Sequence, residues 1–121
     1  MKEKIILLAH GSSDHDWSNT FVSMTHNICD HRADVSLAFM ELSKPSLESV
    51  IKQAKADDFQ SICVLPLFLA KGRHLKVDVP NMLMGYQAKY AVATRLMSPI
   101  GENPMIAQAI QLIIEEGLAG K

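Results

Sequence analysis

The sequence predicts a doubly wound α/β fold: a four-stranded parallel sheet with helices on both faces. Three observations predict it. Apolar runs and segments of helical period alternate β-α-β-α-β-α-β-α without a break, and parallel strands need helical crossovers. The run at residues 5–9 is apolar throughout, the mark of a strand covered on both faces. The 121 residues are 48% hydrophobic and 21% charged, with no repeats or low-complexity stretches, which gives one domain, 1–121, with a single core.

The first strand, "KIILLA", runs directly into "HGSSD". After that polar loop Trp17, Phe21, Met24 and Ile28 recur at helical spacing and define an amphipathic helix from about Asp16 to His31. "ADVSLAFMEL" places Val35, Leu37 and Phe39 on one side of a second strand. Pro45 is expected to open a helix whose buried stripe is Leu47, Val50, Ile51 and Ala54. "SICVLPLFLA" reads as a central third strand that ends or shifts pairing at Pro66, which has no N–H for the ladder. The loop "AKGRHLKVDVP" follows, then a helix over roughly residues 80–89 and a fourth strand in "YAVATRLM". Asn103 as N-cap and Pro104 at the first helical position start the last helix. Met105, Ile106, Ala109, Ile110, Ile113 and Ile114 form its stripe, and it is expected to end near Gly117.

Composition excludes several function classes. A formal net charge of −1 gives no nucleic-acid surface. The apolar start is too short for a signal peptide, and no stretch approaches the roughly 20 apolar residues of a membrane span. The expectation is a cytoplasmic protein that uses no membrane. Cys29 and Cys63 form no CxxC pair and read as free thiols. There is no GxGxxG, no GxxxxGK[ST] and no nucleophile elbow.

Ligands of open parallel sheets bind beyond the carboxyl ends of the strands. Topology alone draws three groups to that edge: His10 in "HGSSD", Glu41 in "ELSKP" and His74 in "KGRHLK". Each has an ordinary structural explanation when taken singly. His10 could bond a carbonyl at the strand end, and Glu41 could pair with Lys44. Ser12, Ser13 and Asp14 could cap the first helix, or that helix start could hold an anion. Lys71, Arg73 and Lys76 could be solvated surface, or could pair with the carboxylates of an acidic ligand. His15, His26 and His31 receive no chemical role. Two histidines and a carboxylate suit a first-row divalent metal, but no cysteine cluster completes a closed four-ligand site. That leaves either a briefly held metal or acid–base histidines.

"LLAHGSSD", "LAFMELSKPSL", "VLPLFLAKGRHLKVDVP" and "SPIGENP" occur in order across nearly the whole chain. Together they resemble the class II tetrapyrrole chelatases, most closely the short-chain CbiX/SirB sirohydrochlorin chelatases. The resemblance implies a flavodoxin-like single lobe and ATP-independent insertion of cobalt, ferrous iron or nickel into sirohydrochlorin, for cobalamin or siroheme-type products. No resident cofactor is implied, since the divalent metal is a substrate. His10 and His74 match the family's metal-handling histidines, and Glu41 its frequently acidic position, suited to relaying pyrrole protons. A histidine, with an unperturbed pKa of about 6.5, can ligate the metal or take a proton near neutrality. Ser12, Ser13, Lys71, Arg73 and Lys76 are the expected partners of the macrocycle's carboxylates. Arg73 stands where many relatives carry glycine. Long relatives have two lobes around the macrocycle, so this single lobe implies a homodimer, with Met82, Met84 and Tyr86 as contributors to the interface or cleft wall and core packing as the role of at least one of them. Two other readings use the same residues: a non-catalytic tetrapyrrole or metal carrier, and a hydrolase acting through Ser12 or Ser13.

Overall fold

The computed structural model describes residues 2–120. Its elements are β1 (Glu3–Ala9), α1 (His15–His31), β2 (Val35–Phe39), α2 (Leu47–Ala56), β3 (Ser61–Pro66), α3 (Val79–Tyr90), β4 (Ala93–Leu96) and α4 (Pro104–Ala119). The strands pair in parallel in the order β2-β1-β3-β4. With β1 and β3 central, the ends of β1, β2 and β3 open on one edge, as the alternation predicted. β3 does end at Pro66, which is opposite Leu8. No helix among the described residues is long and apolar enough to cross a membrane.

The two faces of the sheet are filled differently. Ile6, Leu8, Ala38, Ile62 and Val64 point to one face and meet Leu47, Val50, Ile51 and Ala54 of α2 and Val79 and Leu83 of α3 in the main core. The predicted stripe of α2 is thus buried in full, and Met82 and Tyr86 pack against the same core rather than lining a cleft. Met84 is exposed. On the other face α1 lies over β2, with Phe21 edge-on to Phe39 at 6.4 Å. α4 makes no extensive contact with any strand, and none of its residues is buried. Of the apolar stripe of α4, Met105, Ile110, Ile113 and Ile114 face solvent and Ile106 and Ala109 are half-buried.

Local chemistry sets the boundaries. Asp14 caps α1 by accepting from the Asp16 N–H, so the helix begins at His15. Ser46, not Pro45, caps α2 by accepting from the Ser49 N–H at 3.1 Å. Asn103 caps α4 as expected, accepting from the Met105 N–H, and Pro104 follows. Gly117 does not stop α4, which continues to Ala119. The largest departure lies in the basic loop. Residues His74–Asp78 form a π-helical turn continuous with α3, so the helix starts six residues before the expected position 80. Both cysteines are free.

Candidate functional site

His10 leaves β1 at the carboxyl edge, and the next residue explains the sharp path. A side chain at Gly11 would collide with the Glu41 carbonyl, so only glycine lets the loop after β2 lie against the end of β1. That contact brings Glu41 beside His10, with Oε1 at 3.4 Å from Nδ1. The loop is held by Ser43, whose hydroxyl accepts from the Ser12 N–H at 3.0 Å and donates to the Ser12 carbonyl at 2.9 Å. Leu42, between them, takes a left-handed backbone (φ 63°), a conformation costing roughly 1–3 kcal/mol that concentrates at functional sites.

His10 is also fixed from behind. Its ring stacks on Phe68 with centroids 4.4 Å apart and planes 13° from parallel. The Trp17 indole N–H donates to the His10 carbonyl at 2.7 Å. His74 stands edge-on to His10, with ring centroids 5.1 Å apart. It projects from the π-helical turn, where Asp78, four residues on, places Oδ2 2.8 Å from its Nδ1. Each histidine thus has Nδ1 against a carboxylate and Nε2 unengaged among the described residues. A carboxylate on one ring nitrogen fixes the orientation of the ring and leaves the other nitrogen free, an arrangement typical of metal-binding histidines.

Both rings open into a cavity of about 470 Å³ whose walls include Trp17, Phe21, Met24, Phe68 and Leu75. The walls are almost wholly apolar, and the polar groups converge at the two histidines. Such a space takes a large flat apolar ligand with its reactive centre at the imidazoles. No closed cluster of three or more metal-ligating side chains exists among the described residues. A dication held by two imidazoles would keep open positions, which transfer to another ligand requires.

The structure therefore brings together His10, Glu41 and His74. It sets the other expected residues apart. The Ser12 hydroxyl accepts from the Asp14 N–H at 3.0 Å, and Asp14 rather than Ser13 caps α1, so the anion-binding end of that helix already carries a carboxylate. Lys71 and Lys76 line a separate, smaller depression with Leu96 and Met97. Lys71 pairs with Glu102 at 3.9 Å, while Arg73 and Lys76 are exposed. Phe68 and Asp78 escaped the sequence reading. The i,i+4 spacing of His74 and Asp78 would have pointed to the pair, but only if the segment was read as helical.

Comparison with known proteins agrees with this geometry. The family model CbiX matches residues 4–116. A sirohydrochlorin cobaltochelatase from Sulfurisphaera tokodaii is 27% identical over 114 residues, covering 94% of this chain and 92% of that protein. Its counterpart from Saccharolobus solfataricus is 28% identical, covering 93% of each. Among solved structures, one described as a cobalamin (vitamin B12) biosynthesis CbiX protein, from Marinobacter aquaeolei VT8, is 41% identical with a TM-score of 0.93, covering 98% of this chain and 99% of that one. The sirohydrochlorin chelatase SirB from Bacillus subtilis subspecies spizizenii, in complex with cobalt, shares the fold at 22% identity and a TM-score of 0.84. This chain spans 51% of its length.

Proposed function

The chain belongs to the CbiX family, and we propose that it is a sirohydrochlorin chelatase that inserts a divalent metal into the macrocycle without ATP. The observation that carries this reading is the pair of imidazoles 5.1 Å apart at one end of an apolar cavity, each backed by a carboxylate. The named relatives that match over nine-tenths of their length support the same substrate. Cobalt, ferrous iron and nickel all suit imidazole. The metal is a substrate, and no resident cofactor is needed. The product then feeds cobalamin or siroheme-type synthesis in the cytoplasm.

Insertion must deliver a dication and remove two pyrrole protons. Apolar walls bind the macrocycle face and exclude water, while His74 and His10 hold the metal through Nε2. The Glu41 carboxylate, against His10 Nδ1 and open to solvent, accepts the two pyrrole protons in turn and passes each to water. Arg73 and Lys76, exposed in the turn that carries His74, meet carboxylates that project from the macrocycle edge. Replacing Arg73 and Lys76 by glutamine should raise KM much more than it lowers kcat in steady-state kinetics. An unchanged KM removes that electrostatic role. Two copies, each supplying one lobe, enclose the substrate.

The test is anaerobic incubation of sirohydrochlorin and Co²⁺, Fe²⁺ or Ni²⁺ with catalytic amounts of the protein, followed by macrocycle absorbance. Multiple turnovers above the uncatalysed rate are expected with at least one metal. A spectral change that stops at one equivalent of protein identifies a carrier instead.

A further inference from the structure

The glycine that seats Glu41 beside His10 has a counterpart on the other side of β1. A side chain at Gly101, in the turn "SPIGENP", would collide with the Leu69 backbone, just as one at Gly11 would collide with that of Glu41. The Gly101 N–H donates to the Phe68 carbonyl at 3.0 Å, and Pro99 of the same turn is fully buried. Two glycines thus hold two loops in place, one after β2 and one after β3, because only glycine lets backbone approach backbone so closely.

Each seated loop presents a leucine to solvent. Leu42 and Leu69 are both 76% exposed, the highest values among the large apolar side chains of the described residues. Single exposed leucines are ordinary. These two sit on backbone that is fixed, and at Leu42 fixed at a cost. Leu42 is the centre of a three-residue turn, closed by the Ser43 N–H on the Glu41 carbonyl at 2.7 Å, with φ at 63°. A leucine is disfavoured in that region, which glycine, asparagine and aspartate visit readily. The core does not require it, since Leu42 lies outside the core cluster.

Topology gives the two leucines a common object. β2 and β3 flank β1, each about 5 Å away in the sheet, and His10 leaves β1 between them. Leu69 lines the cavity into which both imidazoles open. Leu42 follows directly on Glu41, whose carboxylate meets His10.

We propose that Leu42 and Leu69 are fixed apolar contacts astride His10 that bind the face of the macrocycle and hold it over the histidine pair. They contribute affinity for the flat organic substrate and none for the metal ion, which the imidazoles take. The proposal rests on the chelatase reading given above and names residues that select its tetrapyrrole.

The full-length protein is titrated with metal-free sirohydrochlorin by fluorescence and, separately, with Co²⁺ alone by calorimetry. L42G and L69S should each raise the Kd for sirohydrochlorin about 10-fold, and the double variant about 100-fold. Their Kd for Co²⁺ should stay within about twofold of wild type. L42M, which keeps an apolar side chain of similar volume, should bind sirohydrochlorin like wild type. L42G should also unfold in urea at or above the wild-type midpoint, because glycine takes the positive φ without strain. Wild-type sirohydrochlorin affinity in both L42G and L69S would overturn the proposal, and so would a parallel loss of Co²⁺ affinity. A destabilised L42G would overturn the role of Leu42 as a solvent-facing contact, and L69S then tests the other leucine alone. Wild-type protein that binds no sirohydrochlorin would overturn the chelatase reading and the leucine contacts with it. Tight wild-type binding that both variants retain overturns the contacts only.

Discussion

The two faces of this one sheet have different duties. The face under α2 and α3 is filled: Ile6, Leu8, Ile62 and Val64 are fully buried there, and the helices that cover them lie wholly within the chain. The face under α1 is half open, and α1 buries only Thr25. Trp17, Phe21 and Met24 of α1 line the cavity that reaches His10 and His74. One face supplies the free energy that keeps the fold, and the other leaves apolar surface open beside the two histidines. A closed core on both sides would leave no wall for a macrocycle.

That division can be broken by substitution, and the largest effect should come from the filled face. Leu8→Ala removes a fully buried side chain and should cost about 2–5 kcal/mol in urea unfolding. Its KM for sirohydrochlorin should stay near the wild-type value, because Leu8 does not line the cavity. Asp78→Asn sits at the boundary between the two duties. It removes the carboxylate behind His74 and should weaken Co²⁺ affinity about 10- to 100-fold by calorimetric titration, with partial rescue by Asp78→Glu. An unchanged affinity would remove the role of Asp78 behind His74.

Met24→Ala reverses the pattern expected of Leu8. Met24 is mostly exposed, so within one chain the cost should stay below about 1 kcal/mol, while macrocycle affinity falls with the lost wall. Equal losses of stability at Leu8 and Met24 would erase the distinction between the faces.

The smallest effect concerns acid. Glu48 of α2 accepts from Lys89 and Tyr90 of α3 at 2.7 Å each, clasping the two helices of the filled face. The hydrogen bond from Lys89, then that from Tyr90, hold its carboxyl below the ordinary 4.5. A carboxyl depressed in the folded state stabilises fully above its unfolded pKa and loses that contribution as pH falls through the folded value. Glu48→Gln should therefore flatten part of the loss of Tm between pH 5 and about pH 3. An identical acid profile would show the clasp to be idle.

The sequence carried most of the filled face and part of the site. The α2 stripe was legible because Leu47, Val50, Ile51 and Ala54 keep helical period, and all four are buried. His10, Glu41 and His74 were legible because strand ends of a parallel sheet converge by topology. The exposure of α4 was not legible, since periodicity records an apolar stripe and not whether the chain's own sheet covers it. The start of the helix at His74 was hidden too, because Gly72 and Pro80 bracket a segment that looks like loop. With it went the His74–Asp78 pair. Phe68 could not be assigned from the pattern, because a phenylalanine after a strand carries no sign that a histidine will stack on it.

The central claim is that the imidazole pair at the edge of the open face performs metal insertion. It is tested most directly by anaerobic turnover of sirohydrochlorin with excess metal, comparing wild-type protein with His10→Ala and His74→Ala, all confirmed folded by circular dichroism. Wild-type protein should turn over many equivalents, and each variant should lose about 10²- to 10⁴-fold in kcat/KM. Wild-type turnover retained by either folded variant would contradict the account.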